Sequence, residues 1–399
     1  MDLIIRGGSL AGIDEVADIG IDGGRIVQIE AYIPERGAEE IDASGNLVSM
    51  GFIDAHIHAD KAFTAGRIDH EMDAPDGYLG RVARARRVKE SFDVQDVRRR
   101  ASRLFEMAAA SGTTTMRTQV ELDPILGTVA AEGIRLAAAD CSDIIQVQTV
   151  AFPQEGWLDC GWEMDCRPDM RAGLEMGFDA VGGNINPELV SDAREQIDDV
   201  LALAREFGIA VDIDLDIGAN GVGYNLPYLA RCIEAMEFGG HVTASHLTAL
   251  SHVPEPLRDR AIRAAAEAGI SVCSPGNPAT PIRSLLEAGV NVTLGTDNVR
   301  DAFSGLGNAD MLDTARFLAR VNRMHRPAEL AAMFAMCTRN AARALGLGEQ
   351  LGLAVGRRAD LVILETEDVE GAIRDVVARP YVIKGGRVIA RYGTIDRWS

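Results

Sequence analysis

The chain has 399 residues, 47% of them hydrophobic and 25% charged, which is ordinary globular usage rather than disorder. With 60 acidic and 40 basic residues its net charge is −20, which repels a polyphosphate partner and argues against nucleic acid. No run approaches 18 apolar residues, so no membrane span is expected, and the start Met1-Asp2-Leu3-Ile4-Ile5-Arg6 does not read as a secretory leader. The six cysteines are scattered without a C-x-x-C pair, which fits a reduced cytoplasm better than a disulfide scaffold or a zinc ribbon.

In chain order, Leu3–Arg6, Ala17–Ile21 and Arg25–Ile29 read as short strands, the last two joined at Asp22-Gly23-Gly24 as a hairpin. The last fifty residues repeat that style at Ala359–Leu364, Tyr381–Lys384 and Arg387–Ala390. Neither half buries a face alone, so residues 1–50 and 352–399 are expected to pair into one small β-sandwich. Between them, residues 51–351 alternate strand and helix patterns. Eight candidate strands fall near 48–58, 113–120, 144–152, 180–185, 209–215, 242–247, 271–276 and 291–297. After Ser191, the apolar residues Ile197, Val200, Leu201 and Ala204 share a helical face that Gly208 ends. Eight such α/β units favour a (β/α)8 TIM-type barrel over a doubly wound open sheet.

A barrel places its chemistry at the carboxyl ends of its strands. Strand one ends in Asp54-Ala55-His56-Ile57-His58, where i and i+2 point the same way and can chelate one cation. Strand six ends at His246 and strand eight at Asp297-Asn298. Strand five carries Asp212, Asp214 and Asp216 on one face, three carboxylates that repel each other unless a cation or proton relieves them. Two histidines plus carboxylates offer such a cation nitrogen and oxygen ligands.

The runs His56-Ile57-His58-Ala59-Asp60-Lys61-Ala62-Phe63, Val150–Gly156, His241–His246 and Gly295-Thr296-Asp297-Asn298-Val299 resemble the amidohydrolase superfamily. The likeness is strongest to its cytosine deaminase and N-isopropylammelide hydrolase branch. The resemblance implies one divalent ion, zinc or iron, held by His56, His58 and Asp297. Asp297 would also take the proton from the attacking water. His246 would steady that water or the tetrahedral intermediate, and Gln154 would read the ring's amide edge. Lys61, Gln119, Asn298 and Trp157 complete the expected substrate contacts, with Trp162 as a second wall, and Asp60 is a candidate to orient the histidines.

The family's strand-five His-x-Asp-Glu reads Asp214-Leu215-Asp216-Ile217 here. Asp214 therefore stands where the third ligand histidine is expected, and Ile217 where a glutamate moves protons to the leaving nitrogen. Asp216 is the nearest replacement for that acid. The only lysines are Lys61, Lys89 and Lys384, so no lysine is available on a middle strand to bridge two metals through a carbamate. The expected enzyme is a cytoplasmic, mononuclear hydrolase of a C–N bond in a small nitrogen heterocycle. Deamination leads, with ring-amide opening or N-dealkylation as the alternative and a non-catalytic ligand-binding homologue as the contrast. Its expected partners are that substrate and further copies of itself.

Overall fold

A computed structural model describes residues 1–13, 15–74, 77–157, 165–186, 189, 192–218 and 224–396. Its two sheets divide the work of scaffold and site. The first is one continuous nine-stranded sheet built from both ends of the chain. Leu47–Met50 is its seam, running parallel to Leu3–Leu10 and antiparallel to Leu361–Leu364. The Asp22-Gly23-Gly24-Arg25 turn forms as expected, with φ of +55° at Gly23 and +76° at Gly24, values that suit glycine. Leu3, Ile5, Ile19 and Ile21 share a buried core with Leu361, Ile363, Ile383 and Val388, so each half supplies what the other must cover.

The second sheet contains eight parallel strands in sequence order: Phe52–Ile57, Thr113–Glu121, Gln146–Phe152, a fourth split into Ala180–Val181 and Asn184–Ile185, Ala210–Leu215, Val242–His246, Ser271–Ser274 and Val292–Leu294. A parallel bridge between Ile57 and Asp297 closes the ring. There the Asp297 N–H donates to the His56 carbonyl at 2.9 Å, and the His58 N–H donates to the Asp297 carbonyl at 3.0 Å. Gly295 permits this approach, since a Cβ there would stand 2.5 Å from the His56 oxygen.

Helices between the strands follow the sequence pattern. Ala193–Phe207 starts at Asp192, which accepts from the Arg194 and Glu195 amides, and ends at Gly208 in the left-handed region. Its buried face carries Ile197, Val200, Leu201 and Ala204. Among the described residues no helix is long and apolar enough to cross a membrane.

Candidate active site

The strand ends bring His56, His58, Asp214, His246 and Asp297 together. His56 Nε2 lies 3.7 Å from an oxygen of Asp214 and 3.7 Å from one of Asp297. His58 Nε2 is 3.4 Å from Asp297, and His246 Nε2 is 3.4 Å from Asp214. A tetrahedral ion with bonds of ~2.0–2.2 Å separates its ligand atoms by roughly 3.3–3.6 Å, so these spacings suit atoms arranged around a cation. His56 Nε2 and Asp214 Oδ1 are buried and lack a hydrogen-bond partner, which is costly unless something else occupies them. His56, His58 and Asp214 form one triad able to hold a metal, and His56, His246 and Asp297 form another.

The backbone is bent to present two of these groups. His246 has φ of +72° and Asp297 +60°, a region costing non-glycine residues of order 1–3 kcal/mol each. Hydrogen bonds hold both bends. The His246 carbonyl accepts from Thr280 Oγ1 at 2.7 Å, and Asp297 is clamped to the first strand as above.

Burial pushes the His56 imidazole down to about 4, keeping it neutral at physiological pH with a lone pair to offer. Burial would raise the Asp297 carboxyl, but the His58 hydrogen bond and the His246 and His56 rings outweigh it and hold the group ionised. Asp214 is likewise held below its ordinary range, His246 and His56 overcoming its burial. Burial works against a charged His246, yet the Asp214 carboxylate draws its pKa upward.

Gln119 Nε2 lies 3.2 Å from His56 Nδ1, and the amide's Oε1 is without a partner. With the amide oxygen turned to that ring nitrogen it accepts Nδ1–H, which leaves Nε2 free as a ligand. Gln119, rather than Asp60, is thus the residue set to orient His56. Asp60 instead accepts the Glu121 N–H at 2.9 Å.

A cavity of about 310 Å³ opens over the cluster, lined by His58, Asp214, His246 and Asp297, and by Gln154 and Asn298 from the expected substrate contacts. Ile217, where the family has its acid, also lines it.

Four of the residues expected in catalysis or substrate contact lie outside the cavity lining, Gln119 among them, since its amide meets His56 instead. Asp216 leaves the strand with φ of +51°, and its carboxylate accepts from the Asn225 N–H and Nδ2 at 2.7 Å each and from the Leu226 N–H at 3.3 Å. It anchors the start of helix Leu226–Ala235, so the shared face belongs to Asp212 and Asp214 alone. Asp212 pairs with Arg117 at 3.1 Å. Trp157 is buried with its indole N–H donated to the Gly182 carbonyl, away from the cavity lining. Trp162 and Cys160 lie outside the described residues. Lys61 stands behind the wall, its ammonium donating to Gln154 Oε1 and sitting 3.1 Å from Glu121.

That ammonium leads to a second cluster. The buried Lys89 ammonium touches Glu121 at 2.7 Å, Glu155 at 2.6 Å and Asp123. Tyr78 is a further addition: it lines the cavity, and its hydroxyl accepts from Asn184 at 2.7 Å and faces Gln154 Nε2 at 3.4 Å.

An eight-stranded barrel with histidines and aspartates converging at its strand ends defines a class, the barrel hydrolases of the amidohydrolase type. The Amidohydrolase family profile matches residues 66–390, and the chain belongs to this family. It is 34% identical over 401 residues to the N-isopropylammelide isopropyl amidohydrolase of Pseudomonas sp. (strain ADP), covering 98% of this chain and 97% of the relative. It superposes on N-isopropylammelide isopropylaminohydrolase from Burkholderia multivorans with a TM-score of 0.87 at 26% identity, covering 99% of each chain. For 5-methylcytosine deaminase from Klebsiella pneumoniae, liganded with phosphonocytosine, the TM-score is 0.88 at 27% identity, covering 99% of this chain and 100% of that one. The protein is a C–N hydrolase of this superfamily.

Proposed function

We propose that the protein hydrolyses a C–N bond of a small nitrogen heterocycle, most readily as a deaminase, using one zinc or iron ion held by His56, His58, Asp214 and Asp297. The observation that carries this is the set of ligand atoms 3.4–3.7 Å apart at the floor of a small cavity. When bound, such an ion acidifies water and polarises the reacting carbon.

The chain's own residues supply the rest. Asp297, held ionised beside His58, is placed to accept a proton from the attacking water. His246, drawn upward in pKa by Asp214, donates toward negative charge developing on the ring substituent. Lys61 occupies Gln154 Oε1 and thereby fixes which end of that amide meets the substrate: Nε2, a donor, is presented to a ring nitrogen or carbonyl. Cys141, Cys232, Cys273 and Cys337 are free thiols, which supports a cytoplasmic setting.

A specific observation favours the second reading, ring-amide opening or N-dealkylation. Ile217 cannot donate a proton to a leaving nitrogen, and Asp216 is committed to a helix start. A general acid contributes ~10²–10⁴ in rate, so substrates whose leaving group needs less help gain ground.

The test is elemental analysis of the purified protein with a panel of cyclic amidines, ring amides and N-alkyl heterocycles. One divalent ion per chain and turnover of at least one class are expected. His58→Ala should drop metal below stoichiometry and lower turnover by ~10³-fold or more. Stoichiometric metal retained in that variant removes the ligand assignment. Bound metal with no hydrolysis of any class leaves a binding protein.

A further inference from the structure

The charges on the cavity wall point beyond the ring itself. Among its described lining residues only Asp214, Asp297 and Arg81 carry permanent charge at neutral pH. A divalent ion would offset the two carboxylates formally, which leaves Arg81 as the uncompensated charge. This step rests on the metal-hydrolase reading above.

Arg81 lies one turn into helix Gly77–Lys89 and is exposed where the cavity meets solvent. Its guanidinium sits 5.7 Å from the ring centroid of Tyr78, which packs in turn against Phe303 at 6.1 Å. All three residues line the cavity. Among the described residues no carboxylate lies within ion-pairing distance of Arg81, whereas Arg67, Arg98, Arg100, Arg117 and Arg171 each hold one. In a chain of net charge −20, an arginine at the mouth of the cavity with no described acid beside it offers positive charge to an incoming anion. Its planar fork suits a carboxylate, and Tyr78 and Phe303 suit the flat ring that carries it. At about 310 Å³ the cavity stands at the small end for ligand pockets, room for one ring with a short substituent rather than a nucleotide.

We infer that Arg81 selects a single-ring nitrogen heterocycle bearing negative charge, foremost a ring carboxylate. The same chemistry could come from an oxo-ring that is itself ionised, and the probes distinguish the two. Calorimetry on the metal-loaded protein would compare uracil, uracil-5-carboxylate, uracil-6-carboxylate and barbiturate, the last an anion without a substituent. Turnover would be measured on cytosine and cytosine-5-carboxylate.

A carboxylated ring should bind roughly 10-fold or more tighter than its uncharged parent, and the preference should shrink with added salt. Arg81→Gln should bring the charged-to-uncharged affinity ratio near one, Arg81→Lys should keep part of it, and Arg81→Glu should invert it. In turnover the effect should fall on KM rather than kcat. A barbiturate preference that depends on Arg81 assigns the charge to the ring and upholds the inference. A ratio indifferent to all three substitutions overturns it, as does absence of any preference in the unsubstituted protein. If no ring is hydrolysed while anion binding still depends on Arg81, the catalytic reading fails and this inference stands.

Discussion

Two buried clusters of acids lie close together in the barrel, and they have opposite fates. Around Lys89, three carboxylates surround an ammonium that the chain itself supplies, with contacts of 2.6 and 2.7 Å to Glu155 and Glu121. At the cavity floor, four contacts of 3.4–3.7 Å link two carboxylates and three imidazoles, and His56 Nε2, His58 Nδ1, Asp214 Oδ1 and His246 Nδ1 have no hydrogen-bond partner. The first cluster is closed by an internal cation; the second is spaced for one that comes from outside. Glu121 joins them, since one oxygen meets Lys89 and the other meets Lys61, which holds Gln154. The comparison teaches that spacing and the presence of an internal cation, rather than the number of acids, separate a structural ion network from a candidate metal centre.

Replacing the internal cation is the most forceful way to break that comparison. Lys89→Ala leaves Glu121, Asp123 and Glu155 facing one another and should cost about 3–5 kcal/mol in denaturant unfolding. Those three present ligand atoms within 4.8 Å of one another, so added calcium or manganese should restore part of the loss. A variant as stable as the parent would erase the distinction between the clusters.

Adding an acid to the open cluster sharpens it. Ile217→Glu places a proton donor on the cavity wall and should raise deamination of cytosine-like rings by up to about 10²-fold. An unchanged rate would mean that more than the missing acid redirects the chemistry.

A smaller effect is expected at the support of His56. Gln119→Leu removes the amide that sets the imidazole's orientation and should weaken metal affinity by about 10–100-fold in a competition assay with a chelator. Unaltered affinity would leave the ring held by packing alone.

The mildest test is pH. His56 titrates at about 4 in the native state against 6.5 unfolded, so the unfolded chain binds more protons across that window. Acidification from about 6.5 to 4 should therefore destabilise the metal-free protein by up to about 3 kcal/mol, and His56→Gln should flatten that slope in urea melts. A slope unaffected by the substitution would assign it to other groups.

Much of the architecture was readable in advance because its signals are local. Glycine turns, period-two alternation and helical faces such as Ile197, Val200, Leu201 and Ala204 each need only a short window. The convergence of His56, His58, His246 and Asp297 followed from the rule that barrel strands deliver polar ends to one rim. Asp216 misled because alternation was carried one residue past the strand: a single left-handed φ turns its carboxylate toward Asn225 and Leu226. The Lys89 network was illegible for another reason. Its members come from a helix and the ends of two strands, spread from residue 89 to 155, and nothing in any one segment marks them as partners. Trp157 looked like a loop aromatic suited to stacking, and only packing revealed that its N–H serves the Gly182 carbonyl.

The bridge between Ile57 and Asp297 also has a consequence for biogenesis. Ribosomes deliver the first strand long before the last, yet the rim residues His56 and Asp297 meet only when the ring joins. Until then the growing polypeptide holds its imidazoles without the opposing aspartate, and Leu47–Met50 waits longer still for Leu361–Leu364. Assembly of the candidate centre therefore waits for Asp297 to be made, and closure of the scaffold sheet for Leu361–Leu364.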